Sequence, residues 1–360
     1  MAESSPTPYL GDSPLVPLSQ YVKALRPELP PEAFLPVRSR LLWIPVHLAI
    51  IALAATAIAR GWVPWPVVPV LGVVIGISFS CLTFVAHEAM HGGIVRGKLA
   101  RQVVGWIGFL PFMVAPRLWA AWHDRIHHAT ANFAEDPDIY PTLAEYEASP
   151  RIRFFVNAFS LGERRWRGML SLVLGFTVQS AHQLISATSS GFLTARQRKI
   201  AIAETLLGGA FWLGLAFVVG FVPFLFIYVL PLVVANMVVM GFILTNHNLS
   251  PRVTVNDPLA TGLTVTAPKW VEVITLRFGL HVEHHLFPAM SSRYAHLVRA
   301  GILARWPERY QTMPLTTALG QLHSTARVYK NDTTLIDPKT GHEYPTLMPR
   351  HRAQRMASAA

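Results

Sequence analysis

Apolar and polar stretches alternate along the first 250 residues in blocks too long for a soluble fold. Residues 1–40 are polar and proline-rich, with a short amphipathic piece near Ser19–Arg26, and read as an arm in the aqueous phase. Residues 41–59 form a mostly apolar run, long enough at ~1.5 Å per residue to cross a hydrocarbon core of ~30 Å. A short turn follows, Arg60 to Pro66, carrying the interfacial tryptophans Trp62 and Trp65. Residues 67–86 cross back. Residues 103–115 are apolar but short, and Pro111 and Pro116 interrupt them, so an interfacial or re-entrant element is expected. Residues 169–185 are apolar yet contain Gln179 and His182. Arg164, Arg165 and Arg167 precede them and Arg196, Arg198 and Lys199 follow, which argues for a helix lying on the membrane. Residues 200–220 and 222–244 make two further spans joined at an uncharged turn. Residues 245–360 are polar again. Tyr294, Leu297, Val298 and Ile302 mark an amphipathic helix over 292–305, and the last 40 residues are weakly patterned and expected to be partly irregular.

Composition agrees with this pattern. The chain is 52% hydrophobic and only 14% charged, against about 25% charged in soluble domains. The net charge of +11 fits loops facing an anionic inner leaflet and gives no reason to expect nucleic-acid binding. The two exterior turns hold one basic residue, Arg60, and the other Lys and Arg residues outside the spans fall on the opposite face. The expected fold class is therefore an all-α integral membrane protein. It has four transmembrane helices in two hairpins, both termini cytosolic and a cytosolic helical cap. Three regions are expected: an arm (1–40), a membrane domain (41–310) and a cytosolic tail (311–360). The start of the chain lacks the pattern of a signal peptide. The single cysteine, Cys81, excludes an intrachain disulfide and a Cys-ligated iron–sulfur cluster. His47, alone in the first span, is expected to be satisfied by a neighbouring helix.

The chemistry lies in the histidines. Of 15 in the chain, eight fall in three dense groups: His87-x-x-x-His91, His123-x-x-x-His127-His128 and His281-x-x-His284-His285. The topology brings all three to the same interface at similar depth, and His247, directly after the fourth span, emerges there too. Pairs at i, i+4 share a helix face and can hold one metal or flank two. Adjacent histidines diverge by roughly 100° and can serve different metals. Nine imidazoles exceed the three or four protein ligands of one metal and suit two. Glu88, Asp124 and Glu283 lie inside the groups but point away from the paired histidines. They, with Asn246, are expected near the imidazoles, the carboxylates accepting hydrogen bonds from ring N–H groups, and Asp136 and Asp138, which flank Pro137, either do the same or only shape a turn. The aromatic residues Trp106, Phe109, Phe112, Trp119 and Trp122 either line a tunnel beside the histidines or anchor the interface.

The order and spacing of these groups, with the tail His284-His285-Leu286-Phe287-Pro288 and the Asn246-His247 element, resemble the membrane fatty acid desaturase family over about residues 40–310. The resemblance implies a four-span fold with a cytosolic cap. It also implies two iron ions held by histidine and oxygen-dependent removal of two hydrogens from an acyl chain. The wide second group, His-x-x-x-His-His, occurs in related hydroxylases and in part of the desaturase family. His281, and the lack of a His-Pro-Gly-Gly haem motif, argue against the cytochrome-fused front-end subtype. Electrons must come from a separate protein, a ferredoxin or b-type cytochrome, because the chain has no flavin, haem or iron–sulfur motif. The substrate is an acyl chain on a lipid, CoA or carrier protein, and the expected location is the bacterial inner membrane. Two alternatives remain open. One is a hydroxylase or carotenoid ketolase using the same site, since Glu88-Ala89-Met90-His91-Gly92 resembles a ketolase first box. The other is a metal transporter or sensor.

Overall fold

The computed structural model describes residues 9–10, 13–159, 166–187 and 191–349. Arg164 and Arg165, used above to orient the helix after them, lie outside the described residues, as do the two ends of the chain. Four helices are long and apolar enough to cross a membrane: Arg38–Ala59, Trp65–His91, Ala195–Val219 and Phe221–His247. They coincide with the four expected spans. The second continues five residues beyond its expected end, through both His87 and His91, and stops at Gly92. Gly92 takes a left-handed φ of 95°, which closes a helix end without a Cβ clash.

The spans divide into an inner and an outer pair. Of their apolar windows, 61% and 56% are buried in the second and fourth, but only 17% and 11% in the first and third. The second and fourth pack against each other, and small residues let them approach. A Cβ on Gly76 would collide with Val234 and with the carbonyl of Pro231. This is the packing mode of helices in lipid, where close backbone contact replaces the hydrophobic drive. The first and third spans leave Leu53, Leu206, Leu213 and Phe217 exposed, as lipid-facing helices do. His47 is buried, and its ring nitrogens have no hydrogen-bond partner among the described residues. It is stacked on Trp43 with 5.5 Å between centroids, so a flat apolar face takes the place of the expected polar partner.

Residues 98–112 and 116–130 form two helical pieces bent by 101°, with the break just before Pro116, one of the two prolines that interrupt the apolar run. The helix Met169–Ser186 packs along the fourth span. Thr177 N and Oγ1 both donate to Asn236 Oδ1, at 3.1 and 3.3 Å. Asn236, the polar residue inside the fourth span, is thus satisfied.

The fold is mostly but not wholly helical, and the expectation of an all-α chain is corrected by short strands. Thr264–Thr266 pairs in parallel with Thr312–Pro314. Tyr329–Asn331, Thr334–Ile336 and Glu343–Pro345 make a three-stranded antiparallel sheet, so most of the C-terminal region expected to be irregular is ordered. Three residues per strand are too few for a period-2 pattern to register. The N-terminal arm is also packed. In its helix Leu18–Leu25, Tyr21 and Leu25 enter a second core with Val282, Leu286, Val298 and Ile302. Beneath them Arg309 Nη2 donates to Asp257 Oδ2 at 2.6 Å, Tyr21 Oη donates to Asp257 Oδ1 at 3.1 Å, and Val16 N donates to Oδ2 at 2.8 Å. Because Arg309 is buried, Asp257→Ala strands its charge and is expected to destabilise the fold by about 3–5 kcal/mol. Denaturation of the detergent-solubilised protein should show the lower midpoint, and the arm should become the first site of proteolysis.

Candidate metal centre

Six of the nine clustered histidines arrive on short helical pieces whose geometry sets where each ring points. The second span delivers His87 and His91, and the fourth ends at His247. Residues 120–127 are wound as a π-helix, a form that marks functional segments because it re-aims side chains without ending the helix. It carries His123 and His127. The helix His281–Leu286 carries the last three. It is held from behind by Glu283, which accepts from Thr264 Oγ1 at 2.6 Å and Tyr310 Oη at 2.5 Å.

Eight of the nine sort into two groups of four, each able to hold a metal ion: His87, His91, His123 and His284, and His127, His247, His281 and His285. Within each group the ligand atoms lie within 4.8 Å of one another. In the second group the Nε2 atoms of His127, His281 and His285 lie 3.2, 2.6 and 3.1 Å from that of His247. A metal with bonds of ~2.0–2.1 Å to imidazole spaces its ligand nitrogens by roughly 3 Å. The sorting follows local geometry. His123 and His127 flank the two groups, and the adjacent His284 and His285 diverge, one to each. His128 departs from expectation. It belongs to neither group but stands between them, its Nε2 3.2 Å from that of His284 and its ring stacked at 4.3 Å on His285. Rotated from His127 by one helical step, it points across the gap.

Hydrogen bonds on the outer nitrogens fix which ring atom faces inward. His247 Nδ1 lies 3.1 Å from the carbonyl oxygen of Thr261. A carbonyl only accepts, so Nδ1 carries the proton and Nε2 presents a lone pair. His127 Nδ1 donates to Asp136 Oδ1 at 3.0 Å, and His91 Nδ1 to Asp124 Oδ1 at 2.9 Å. The inward Nε2 of His91 is buried with no partner among the described residues. Burial drives His281, His284 and His285 well below the usual imidazole range, and neighbouring rings push them further, so all three are neutral. Lone pairs that converge in a dry site repel unless a cation sits among them. The donor set therefore fits two metal ions, and its nitrogen-only character favours a transition metal over Mg2+ or Ca2+.

The expected carboxylate roles divide. Asp124 and Asp136 accept from imidazoles. Asp138 Oδ2 approaches His127 Nδ1 at 3.6 Å, while its Oδ1 accepts from Trp122 Nε1 at 2.9 Å and Gln179 Nε2 at 2.6 Å. Burial, with the charge of Asp136, pushes Asp138 up to about 6. Glu88 and Glu283 bond elsewhere: Glu88 with Arg40, Ser291 and Ser292, and Glu283 as above. The Asn246 side chain is buried with no hydrogen-bond partner among the described residues. These three do not accept from or donate to a ring. One helical position from a ligand histidine, each is turned toward the packing behind the site.

The metal groups open on a cavity with walls that are mainly apolar and aromatic, the character of small-molecule sites. Phe109, Trp119 and Trp122 line it, as the tunnel reading expected, but Trp106 and Phe112 do not. Phe112 packs behind Phe176, 4.8 Å between centroids. Phe176, Gln179 and Phe278 line the cavity without having been singled out for it. For Gln179 a signal existed, a lone amide in an apolar run. Asn132 also went unnoticed. Its φ is 61°, and its Nδ2 donates to the carbonyl of Pro251 at 2.9 Å, tying the second histidine segment to the chain after the fourth span.

A membrane helix bundle with clustered buried imidazoles beside an apolar cavity defines a class, the membrane oxidoreductases with a histidine-bound metal centre. The fatty acid desaturase family model matches residues 60–317, and the chain belongs to that family. It is similar to the sn-1 oleoyl-lipid 12-desaturase of Synechocystis sp., 24% identical across 93% of this chain and 94% of that protein. A protein of the same name from Picosynechococcus sp. is 25% identical across 74% of this chain and 78% of its own length. The chloroplastic omega-6 fatty acid desaturase of Spinacia oleracea is 20% identical across 82% of this chain, which spans 66% of the spinach protein.

The two kinds of carboxylate should separate in experiment. Asp136→Asn is expected to weaken metal retention about 10–100-fold, because it removes the negative charge and one of the two acceptor oxygens that orient His127. Glu283→Gln should lower the unfolding temperature more than the metal affinity. Chelator competition and thermal unfolding, run on the same samples, check both.

Proposed function

We propose that the chain is an oxygen-dependent fatty acyl desaturase whose two imidazole groups hold two iron ions. The observation that carries this reading is the pair of buried, all-nitrogen groups at the wall of an apolar cavity. Unactivated methylene C–H bonds offer no acidity, so acid–base side chains alone cannot oxidise them. Iron in these groups supplies the oxygen chemistry that can. His87, His91, His123 and His284 would hold one ion and His127, His247, His281 and His285 the other, with His128 closing the gap between them.

The chain's own residues do the rest. Asp124, Asp136 and the Thr261 carbonyl keep the ring protons on the outer nitrogens. The aromatic walls exclude water and hold a methylene chain against the histidines. Forming one double bond while reducing O2 to two waters takes two electrons from the acyl chain and two from outside. A ferredoxin or b-type cytochrome would supply the latter, docking on the basic face of the protein.

The positive-inside distribution supports two hairpins with both termini cytosolic and the histidine end of the bundle at the cytosolic side of a bacterial inner membrane. The cyanobacterial relatives act, by their names, on lipid-linked oleoyl chains, which supports a lipid-linked acyl substrate here. A transporter would need polar groups along a path through the membrane. Asn236 instead is tied to Thr177, which favours the enzyme.

Lipid profiling of cells expressing the chain beside His285→Ala tests this. A new unsaturated acyl species should accompany the wild-type chain and disappear with the variant. A product that has gained oxygen makes the protein a hydroxylase or ketolase, and an unchanged profile in the variant removes His285 from the site.

A further inference from the structure

A second cavity, open toward the surface, reaches the histidines at His87 and His284. It shares Phe84, His87 and Phe278 with the first cavity, and the rings of Phe84 and Phe278, 4.7 Å apart, form the wall between the two. Phe278 touches one histidine of each group: its centroid is 4.9 Å from His87 and 5.7 Å from His281. A chain passing this wall would run directly beneath both.

The lining of the second cavity carries one carboxylate, Glu88, and one guanidinium, Arg277. Arg40 is neutralised by its ion pair with Glu88 and bonded to Ser292 at 2.6 Å. Arg277 is half-buried, and no carboxylate among the described residues pairs with it. Its Nη1 donates to the carbonyl of Arg293 at 3.0 Å, which brings exposed Arg293 alongside. Leu276 and Arg277 both adopt left-handed backbone, with φ of 52° and 59°, a conformation that non-glycine residues keep only where the surroundings impose it. The Arg277 guanidinium in this wall, with the Arg293 side chain exposed at the adjoining surface, raises the local positive potential and suits an oxyanion such as phosphate.

The surroundings of this cavity are apolar and interfacial. The helix Lys269–Ile274 leads into the cavity wall at Thr275 and exposes Trp270 and Val273. Leu42, two residues beyond Arg40, is 67% exposed. Exposed tryptophan and aliphatic side chains beside arginine are the signature of a membrane–water interface. A soluble thioester carrier would meet an aqueous polar surface instead.

We infer that the second cavity is the entry site for an acyl chain esterified to a phospholipid, with the phosphate held by Arg277 and Arg293 and the chain passing Phe278 to the histidines. This rests on the desaturase reading and adds to it the head-group chemistry and the route by which the chain enters. The purified full-length protein, reconstituted with phosphatidylglycerol or with diacylglycerol of the same acyl composition, provides the test. Two quantities are read: lipid retained after detergent washing, and the ratio of kcat/KM for the two lipids with a reduced ferredoxin as donor. Wild type should favour phosphatidylglycerol in both. Arg277→Gln should cut that preference about tenfold, the scale of one lost charge-assisted contact, and Arg277→Lys should recover part of it. Arg293→Gln, at an exposed position that leaves the fold intact, should shift it in the same direction by less, and it carries the test if Arg277→Gln does not fold. An unchanged preference in these variants, an equal loss on both lipids, or wild-type preference for an acyl thioester of CoA or carrier protein would overturn the proposal. Retention does not depend on turnover. A wild type that keeps phosphatidylglycerol but makes no unsaturated product sinks the desaturase reading and leaves the entry site standing.

Discussion

The constraint on which the rest of the structure depends is the convergence of imidazole lone pairs in a buried space. Three of the rings, those of His127, His91 and His247, are held from outside by Asp136, Asp124 and the Thr261 carbonyl, so that their free nitrogens turn inward. Four such nitrogens in one group, three of them 2.6–3.2 Å from His247 Nε2, are a poor arrangement without a positive ion and a good one with it. Desolvation raises the cost of leaving them unpaired, which gives the site its affinity.

The scaffold can be understood as what holds those rings still. The second and fourth spans are the most buried and end in ligands, so the membrane bundle itself sets three of the nine positions. The first and third spans shield them from lipid. The histidine segment over 281–286 has no such support of its own and is pinned by Glu283 and by a core that the N-terminal arm completes through Tyr21 and Leu25. Stiffness is needed because a ligand displaced by ~1 Å no longer serves.

Much of this was legible in the sequence, for physical reasons that differ from part to part. Spans are legible because the bilayer demands about 20 apolar residues in a row, and all four were found. The clustering of the histidines was legible from their density along the chain, and the structure brings eight of them into two groups of four. Their sorting was legible only in part. Divergence of His284 and His285 follows from helix geometry, but the exclusion of His128 from both groups depends on a π-turn that has no sequence signature. The carboxylates show the same limit. Asp124, Asp136 and Glu283 look equivalent along the chain, yet Glu283 is turned to Tyr310, a residue 27 positions away. The packed arm and the C-terminal strands were missed because their partners are distant in sequence and their elements too short to carry a period. Gln179 showed as an anomaly, but its partner, Asp138, lies 41 positions earlier.

Two metals per chain in all-nitrogen surroundings is the central claim, and metal analysis combined with X-ray absorption of the purified protein tests it most directly. The account predicts about two irons per folded chain, a first coordination shell of light atoms with the outer scattering of imidazole, and no sulfur. A single exchangeable zinc per chain, or sulfur in the first shell, would contradict it.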